Sequence, residues 1–175
     1  MKAFTTLLLL FLITLTSYPQ DEAYVTLRDI PYYTGSEKQT DEYIRERCQL
    51  DITYPKDKTG FATVVWFHGG GLTGGSKELP EALKRDGICV VGVNYRLAPR
   101  VKAPAYIEDA AAAVAWVFRH IGEYGGDSTR IFLSGHSAGG YLVMMTGLDK
   151  QYLAAHDIDA NKIAGLVPLS GQTIT

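Results

Sequence analysis

Four short apolar runs constrain this chain more than anything else in it. They are "FATVVWF" (Phe61–Phe67), "ICVVGVNY" (Ile88–Tyr95), "RIFLS" (Arg130–Ser134) and "KIAGLVPLSG" (Lys162–Gly171). None alternates polar with apolar residues, so each predicts a strand covered on both faces. Helical stretches lie between them. "SKELPEALKRDG" (Ser76–Gly87) begins on Ser and stops on Gly, which predicts a short helix. Further on, Ile107, Ala110 or Ala111, Val114, Val117 or Phe118, and Ile121 recur at helical spacing, with Gly125 and Gly126 past the end. Ala138–Leu148 predicts another helix directly after the third run. Strands joined through helices need crossover connections, so the sheet is expected to be mostly parallel with helices on both faces. The fold class is α/β. Two strands are expected ahead of this core, Ala23–Tyr33 ending in a turn at Thr34–Ser36, and Glu46–Pro55, whose alternation marks it as half-buried. A turn at Lys56–Gly60 follows.

The start of the chain has a different character. "MKAFTTLLLLFLITLTS" carries one basic residue, Lys2, and then an apolar stretch from Leu7 to Leu15. That stretch is too short to span a bilayer and fits the h-region of a secretory signal peptide. Residues 1–20 are therefore read as a signal peptide and 21–175 as one domain, with the mature chain beginning near Tyr18 to Glu22. The expected location is outside the cytoplasm, periplasmic or extracellular, with no stable membrane insertion after cleavage. A formal net charge of −2 supplies no basic field for nucleic acid. Cys48 and Cys89 are too few for a disulfide framework and read first as small buried hydrophobes.

Two glycine-rich motifs carry chemistry. In "RIFLSGHSAGGYLVMM" a strand turns into a helix at Ser137. Gly135 and Gly139 supply the lack of bulk that so sharp a turn requires, and His136 packs beside it. The turn lifts a hydroxyl clear of the sheet edge, where the helix N-terminus directs its N–H groups. Negative charge developing on a substrate oxygen there would be stabilised, with the Ala138 N–H as the natural donor. G-x-S-x-G alone also suits a loop that merely packs a helix close to a strand. The second motif, "WFHGGGLTGGS", decides against that. His68-Gly69-Gly70-Gly71 follows the first buried run, at the sheet edge where ligands of parallel sheets sit. No phosphate-binding fingerprint is present to give these glycines another use.

The motifs resemble those of α/β-hydrolase-fold carboxylesterases of the hormone-sensitive-lipase-like and feruloyl-esterase-like group. The matching residues are "HGGG" (68–71), "VNYRLAP" (93–99), "APAYIEDAAAAVAWV" (103–117), "YGGD" (124–127) and "GHSAGG" (135–140). The resemblance implies Ser137 as nucleophile and an oxyanion hole built from Gly70, Gly71 and Ala138. It implies that Asn94 or Tyr95 holds the glycine loop, that His68 braces it, and that Asp109 has a structural role. It also sets the strands holding Cys48 and Cys89 side by side, which leaves a bridge between them open. No metal or cofactor is implied. The substrate would be a small-molecule or polysaccharide ester, feruloyl or acetyl esters of plant polysaccharides among them. Oligomeric state is left open.

A nucleophile needs a base. The order in this fold is Ser, acid, His. His68, His120, His136 and His156 each come too early or sit in structural positions, as do Asp149, Asp157 and Asp159. The acid and the His are expected beyond residue 175, on two further strands, so that the chain reads as a truncated esterase of little activity with an unpaired last strand. The competing functions are a non-catalytic or degenerate α/β-hydrolase domain, and a peptidase or amidase on the same fold.

Overall fold

The computed structural model describes residues 23–33, 35 and 41–172. The signal-peptide segment, residues 1–20, lies outside the described residues, as do Thr34 and Ser36 of the expected turn. The elements in chain order are β1 (Tyr24–Pro31), α1 (Glu42–Arg47), β2 (Gln49–Pro55), β3 (Phe61–Phe67), β4 (Cys89–Val93), α2 (Ala105–His120), β5 (Gly126–His136), α3 (Ala138–Leu148), α4 (Gln151–Ala154) and β6 (Gly165–Leu169). The six strands form one sheet in the order β1-β2-β4-β3-β5-β6. β1, β2 and β4 pair antiparallel, while β4, β3, β5 and β6 run parallel. The expected α/β class and mostly parallel sheet are therefore present.

The buried centre is where the apolar runs put it. Val65, Phe67, Val91, Val93, Ile131 and Leu133 are all 0% exposed. α2 covers one part of the sheet with Ile107, Ala110, Val114 and Val117, and its run of buried alanines allows a close approach. α2 appears where the helical spacing put it, and α3 has the expected bounds, Ala138–Leu148.

Four expectations about these elements need correction. Ser76–Gly87 is not a helix and holds only a 3-10 turn at Glu81–Leu83. Pro80 lacks an N–H, and Asp86 and Gly87 both take left-handed φ values of 57° and 70°. β6 is not buried on both faces. It sits at the sheet edge with Val167 48% and Leu169 44% exposed, and among the described residues no strand pairs on its outer side. β2 begins at Gln49 rather than Glu46, because α1, capped by Asp41, ends in Glu46 and Arg47. β2 is also buried rather than half-buried. Its polar residues are covered because they find partners: Thr53 takes a hydrogen bond from Thr26 at 3.0 Å, and Asp51 takes Arg28 at 2.9 Å and Lys77 at 2.6 Å.

The bridge left open between Cys48 and Cys89 does not form, and both are free and buried. β2 and β4 are indeed neighbours. Their antiparallel register pairs Leu50 with Val93 and Thr53 with Val90, which sends the two cysteines to opposite ends of the pair. Burial pushes both thiols up to about 12, so neither is a reactive thiolate. Denatured, unreduced protein should titrate two thiols with a chromogenic disulfide reagent; a result of none would contradict this register.

Candidate active site

Ser137 occupies the single residue between β5 and α3. Its φ of 55° and ψ of −115° lie in a region that a non-glycine residue adopts only under constraint. The constraint is visible on both sides. The Ser137 N–H donates to the Leu169 carbonyl of β6 at 2.8 Å, and its own carbonyl accepts from Tyr141 at 3.1 Å. Beneath it, α3 lies directly on the end of β3. A Cβ at Gly139 would fall 2.0 Å from the Phe67 carbonyl oxygen, and one at Gly135 would fall 2.7 Å from the same atom. No other residue type fits at Gly139, so the elbow's spacing of glycines follows from backbone meeting backbone.

The glycine loop starts where that contact ends. Gly69 faces the elbow, with its notional Cβ 3.1 Å from the His136 carbonyl and 3.6 Å from Ser137 Cβ. Gly70 and Gly71 have φ values of 112° and 62°, and the N–H groups of Thr73 and Gly74 both close onto the Gly70 carbonyl. Gly71, Ser137 and Ala138 line one cleft of about 190 Å³, with Leu72, Tyr106, Tyr141 and Gln172 completing its walls. Gly71 and Ala138 thus share the space with the serine. The first N–H groups of α3 have no intrahelical acceptor, so they are available to an oxygen in the cleft.

The loop is braced from below. The Tyr95 hydroxyl donates to the His68 carbonyl at 2.8 Å, and the two rings stack with centroids 4.4 Å apart. Of the two residues expected to hold the loop, Tyr95 makes the direct contact. Asn94 acts one step later, its Oδ1 accepting the Lys77 N–H at 2.5 Å. The His68 ring lies 2.6 Å, through Nδ1, from the Gly69 carbonyl, while Nε2 is buried without a partner. Burial lowers the His68 pKa, so the ring is held neutral. Burial also raises the Tyr95 phenol well above its ordinary value, which keeps it a donor.

Asp109 has the structural place expected of it. It is 0% exposed and accepts from the Arg96 guanidinium at 2.7 and 2.8 Å and from the Tyr33 hydroxyl at 2.9 Å. This cluster ties α2 to the turn after β4. Asp149 accepts from the Gln151 side chain, and Asp159 accepts from the Asn161 N–H at the start of a 3-10 turn. His120 pairs with Glu123 at 2.9 Å, and His136 is exposed beside the elbow. Among the described residues, no imidazole or carboxylate hydrogen-bonds to the Ser137 hydroxyl.

Several participants carry no local sequence signal. Arg47 bonds the Tyr95 carbonyl at 3.1 Å and the Gly75 carbonyl at 3.0 Å, and Tyr32 donates to the Asn94 carbonyl at 2.8 Å. Both act across the sheet, from residues far away in sequence. Tyr141 does carry a signal: it stands one helical turn past Ser137, on the face that a nucleophile helix turns toward the cleft.

With the geometry in place, comparison with known proteins decides the family. The family model described as BD-FAE matches residues 50–167. This chain belongs to the BD-FAE family. Its fold is that of the α/β-hydrolase carboxylesterases. The Mycobacterium tuberculosis protein named "Probable carboxylic ester hydrolase LipM" is 36% identical over 124 residues, 66% of this chain and 29% of that one. A rice protein (Oryza sativa subsp. japonica) named "Probable isoprenylcysteine alpha-carbonyl methylesterase ICMEL1" is 35% identical over 120 residues, 66% of this chain and 28% of that one. The solved structure of a bacterial heroin esterase superposes with a TM-score of 0.59 at 28% identity, over 78% of this chain and 41% of that one. The BD-FAE chain described here thus spans less than a third of the length of the two curated relatives.

Two outcomes test this geometry. Gly139→Ala drives a Cβ into the Phe67 carbonyl and should cost about 3 kcal/mol or more in urea unfolding. Gly122→Ala, where nothing lies within 4 Å, should stay within about 0.5 kcal/mol. For His68, the fold favours the neutral ring, so the unfolded chain binds more protons below its ordinary pKa of 6.5. The stability it contributes is present above that pH and is lost as pH falls through the lower folded value. Between about pH 7.5 and pH 5 the melting temperature should drop more steeply in the wild type than in His68→Gln.

Proposed function

We propose that this BD-FAE chain is the nucleophile-bearing part of a serine hydrolase of carboxylic esters. One observation carries the proposal: Ser137 is held at a strained elbow in a cleft that it shares with the backbone of Gly71 and Ala138. The Ser137 Oγ attacks the ester carbonyl and gives up its proton to a base. The carbonyl oxygen becomes an oxyanion, which the Gly71 and Ala138 N–H groups stabilise. The tetrahedral adduct collapses, the alcohol leaves with a proton, and an acyl group remains on Oγ. Water then attacks that acyl group and releases the carboxylic acid. Gly70, whose carbonyl accepts from Thr73 and Gly74, shapes the same loop and is proposed as a further donor.

We put the general base and its acid partner outside these 175 residues, a reading supported by the lack of any imidazole among the described residues bonded to the Ser137 hydroxyl. The relatives named as esterases extend well beyond the matched portion. Feruloyl or acetyl esters of plant polysaccharides are the proposed substrates, supported by the family resemblance. Export through the residue 1–20 signal peptide is the proposed route to them. A non-catalytic role is the second reading, favoured by the lack of an imidazole at Ser137.

In protein produced from the full reading frame that contains these residues, Ser137→Ala should lower p-nitrophenyl acetate turnover by about 10³-fold or more. Peptide substrates should not be cleaved. Unchanged turnover in Ser137→Ala would overturn the proposal, and an inactive wild type would favour the non-catalytic role.

A further inference from the structure

A buried ion pair lies below the exit of the glycine loop, and nothing in the proposed chemistry uses it. Lys77 Nζ meets Asp51 Oδ1 at 2.6 Å and Asp29 Oδ1 at 2.7 Å. The Asp51 side chain is 3% exposed and the Lys77 side chain 13%. Asp51 is fully engaged: Oδ1 also accepts the Asp29 N–H at 2.9 Å, and Oδ2 accepts Arg28 at 2.9 Å. Removing an ion pair from water is costly, and an apolar pair of equal volume often gives a protein as stable or more so. Stability alone therefore does not explain a lysine and an aspartate here.

Its position does. Lys77 stands two residues past Gly75, where the loop leaves the cleft. Its main chain is fixed as well, with the N–H donating to Asn94 Oδ1 at 2.5 Å. The next residue, Glu78, accepts from the Trp66 indole at 2.9 Å. The Glu78 carbonyl lies 2.2 Å from where a Cβ on Gly92 of β4 would be, so this strap crosses β4 in backbone contact. The entry to the loop is held by Tyr95 against His68, and the exit by Arg47 on the Gly75 carbonyl together with this strap. Between them lie Gly70 and Gly71, whose left-handed φ values depend on both ends staying fixed.

We infer that Lys77 is a positioning residue for the proposed oxyanion hole, acting through its buried pair with Asp51. The inference deepens the esterase proposal and rests on it for its kinetic consequence. The charge pair fixes the strap to β2, and the strap fixes the direction of the Gly71 N–H. Misplacing such a donor by a fraction of an ångström weakens the transition state while leaving ground-state binding alone.

The test is Lys77→Met, with Lys77→Arg as the charge-keeping variant. Asp51→Leu combined with Lys77→Met serves as a form that leaves neither member of the pair charged and orphaned. Hydrogen exchange is read at the Thr73 and Gly74 amides, which bond to the Gly70 carbonyl, and at the Ala98 amide, which bonds to the Leu72 carbonyl. Exchange there should quicken about tenfold in Lys77→Met and in the double variant, with β5 and α2 amides unchanged. In the full-reading-frame protein, kcat should fall about 10- to 100-fold with KM within about twofold, and Lys77→Arg should recover part of it. Unchanged exchange at these three amides in the double variant would overturn the inference. So would a loss spread evenly over β5 and α2, which marks a purely structural role. The exchange result is independent of catalysis, so a failure of the esterase proposal, read by Ser137→Ala, is distinguishable from a failure of this one.

Discussion

The contact on which the site depends is one of backbone on backbone. The first turn of α3 rests on the end of β3 at Gly139 and the Phe67 carbonyl, too close for any side chain. That contact fixes the angle at which the chain leaves β5, and the angle forces Ser137 into its unusual φ and ψ. It also brings the elbow beside the glycine loop, because the loop begins at the residue after Phe67. Ser137 and the glycine loop, the proposed nucleophile and donors, therefore share one reference point, the last residue of β3. The strain at Ser137 is sustained by its hydrogen bond to β6 and by the helix that follows it.

The rest of the structure holds the loop against that reference point. A loop with positive φ values is entropically costly to order, since glycine has the most freedom to lose. The protein offsets this with fixed partners from several elements. Tyr95 and Arg47 hold its two ends, Tyr32 and Asn94 hold the turn after β4, and Asp109 ties that turn to α2 through Arg96. Several buried or half-buried polar groups, among them Tyr95, Tyr32, Arg47 and Asn94, bond to the main chain of the loop, its strap and the turn after β4. Burial costs them solvation, and hydrogen bonds return it only if the geometry is kept. A network of that kind favours one loop conformation over others more than it favours folding.

The parts of this arrangement legible in the sequence are those set by local pattern. β3, β4 and the later half of β5 showed as unbroken apolar runs, α2 as a helical period and the elbow as glycines around Ser137; the polar start of β5, Gly126–Thr129, did not show. The errors came where tertiary contacts overrode a local signal. Ser76–Gly87 has helical start and stop residues, yet Lys77 and Glu78 are recruited as a strap and Pro80 prevents a full turn. Lys162–Gly171 is as apolar as the central runs, but apolarity does not say whether a strand is central or at an edge. β2 and β4 were correctly set side by side, but Cys48 falls just ahead of β2 at the end of α1, and the antiparallel register puts Cys89 at the other end of the pair. Arg47 and Asp51 were out of reach altogether, because a long-range partner to a backbone carbonyl or a lysine leaves no trace in its own neighbourhood.

The central claim is that an oxygen bound at Ser137 faces the main-chain N–H groups of Gly71 and Ala138. The most direct measurement is a crystal structure of the protein after reaction with an alkyl phosphonate ester, whose tetrahedral phosphorus mimics the acyl transition state. The expected result is a bond from Ser137 Oγ to phosphorus, with the phosphonyl oxygen about 2.7–3.1 Å from both nitrogens. A phosphonate attached to another residue, or one on Ser137 whose oxygen points to solvent away from both N–H groups, would contradict the account.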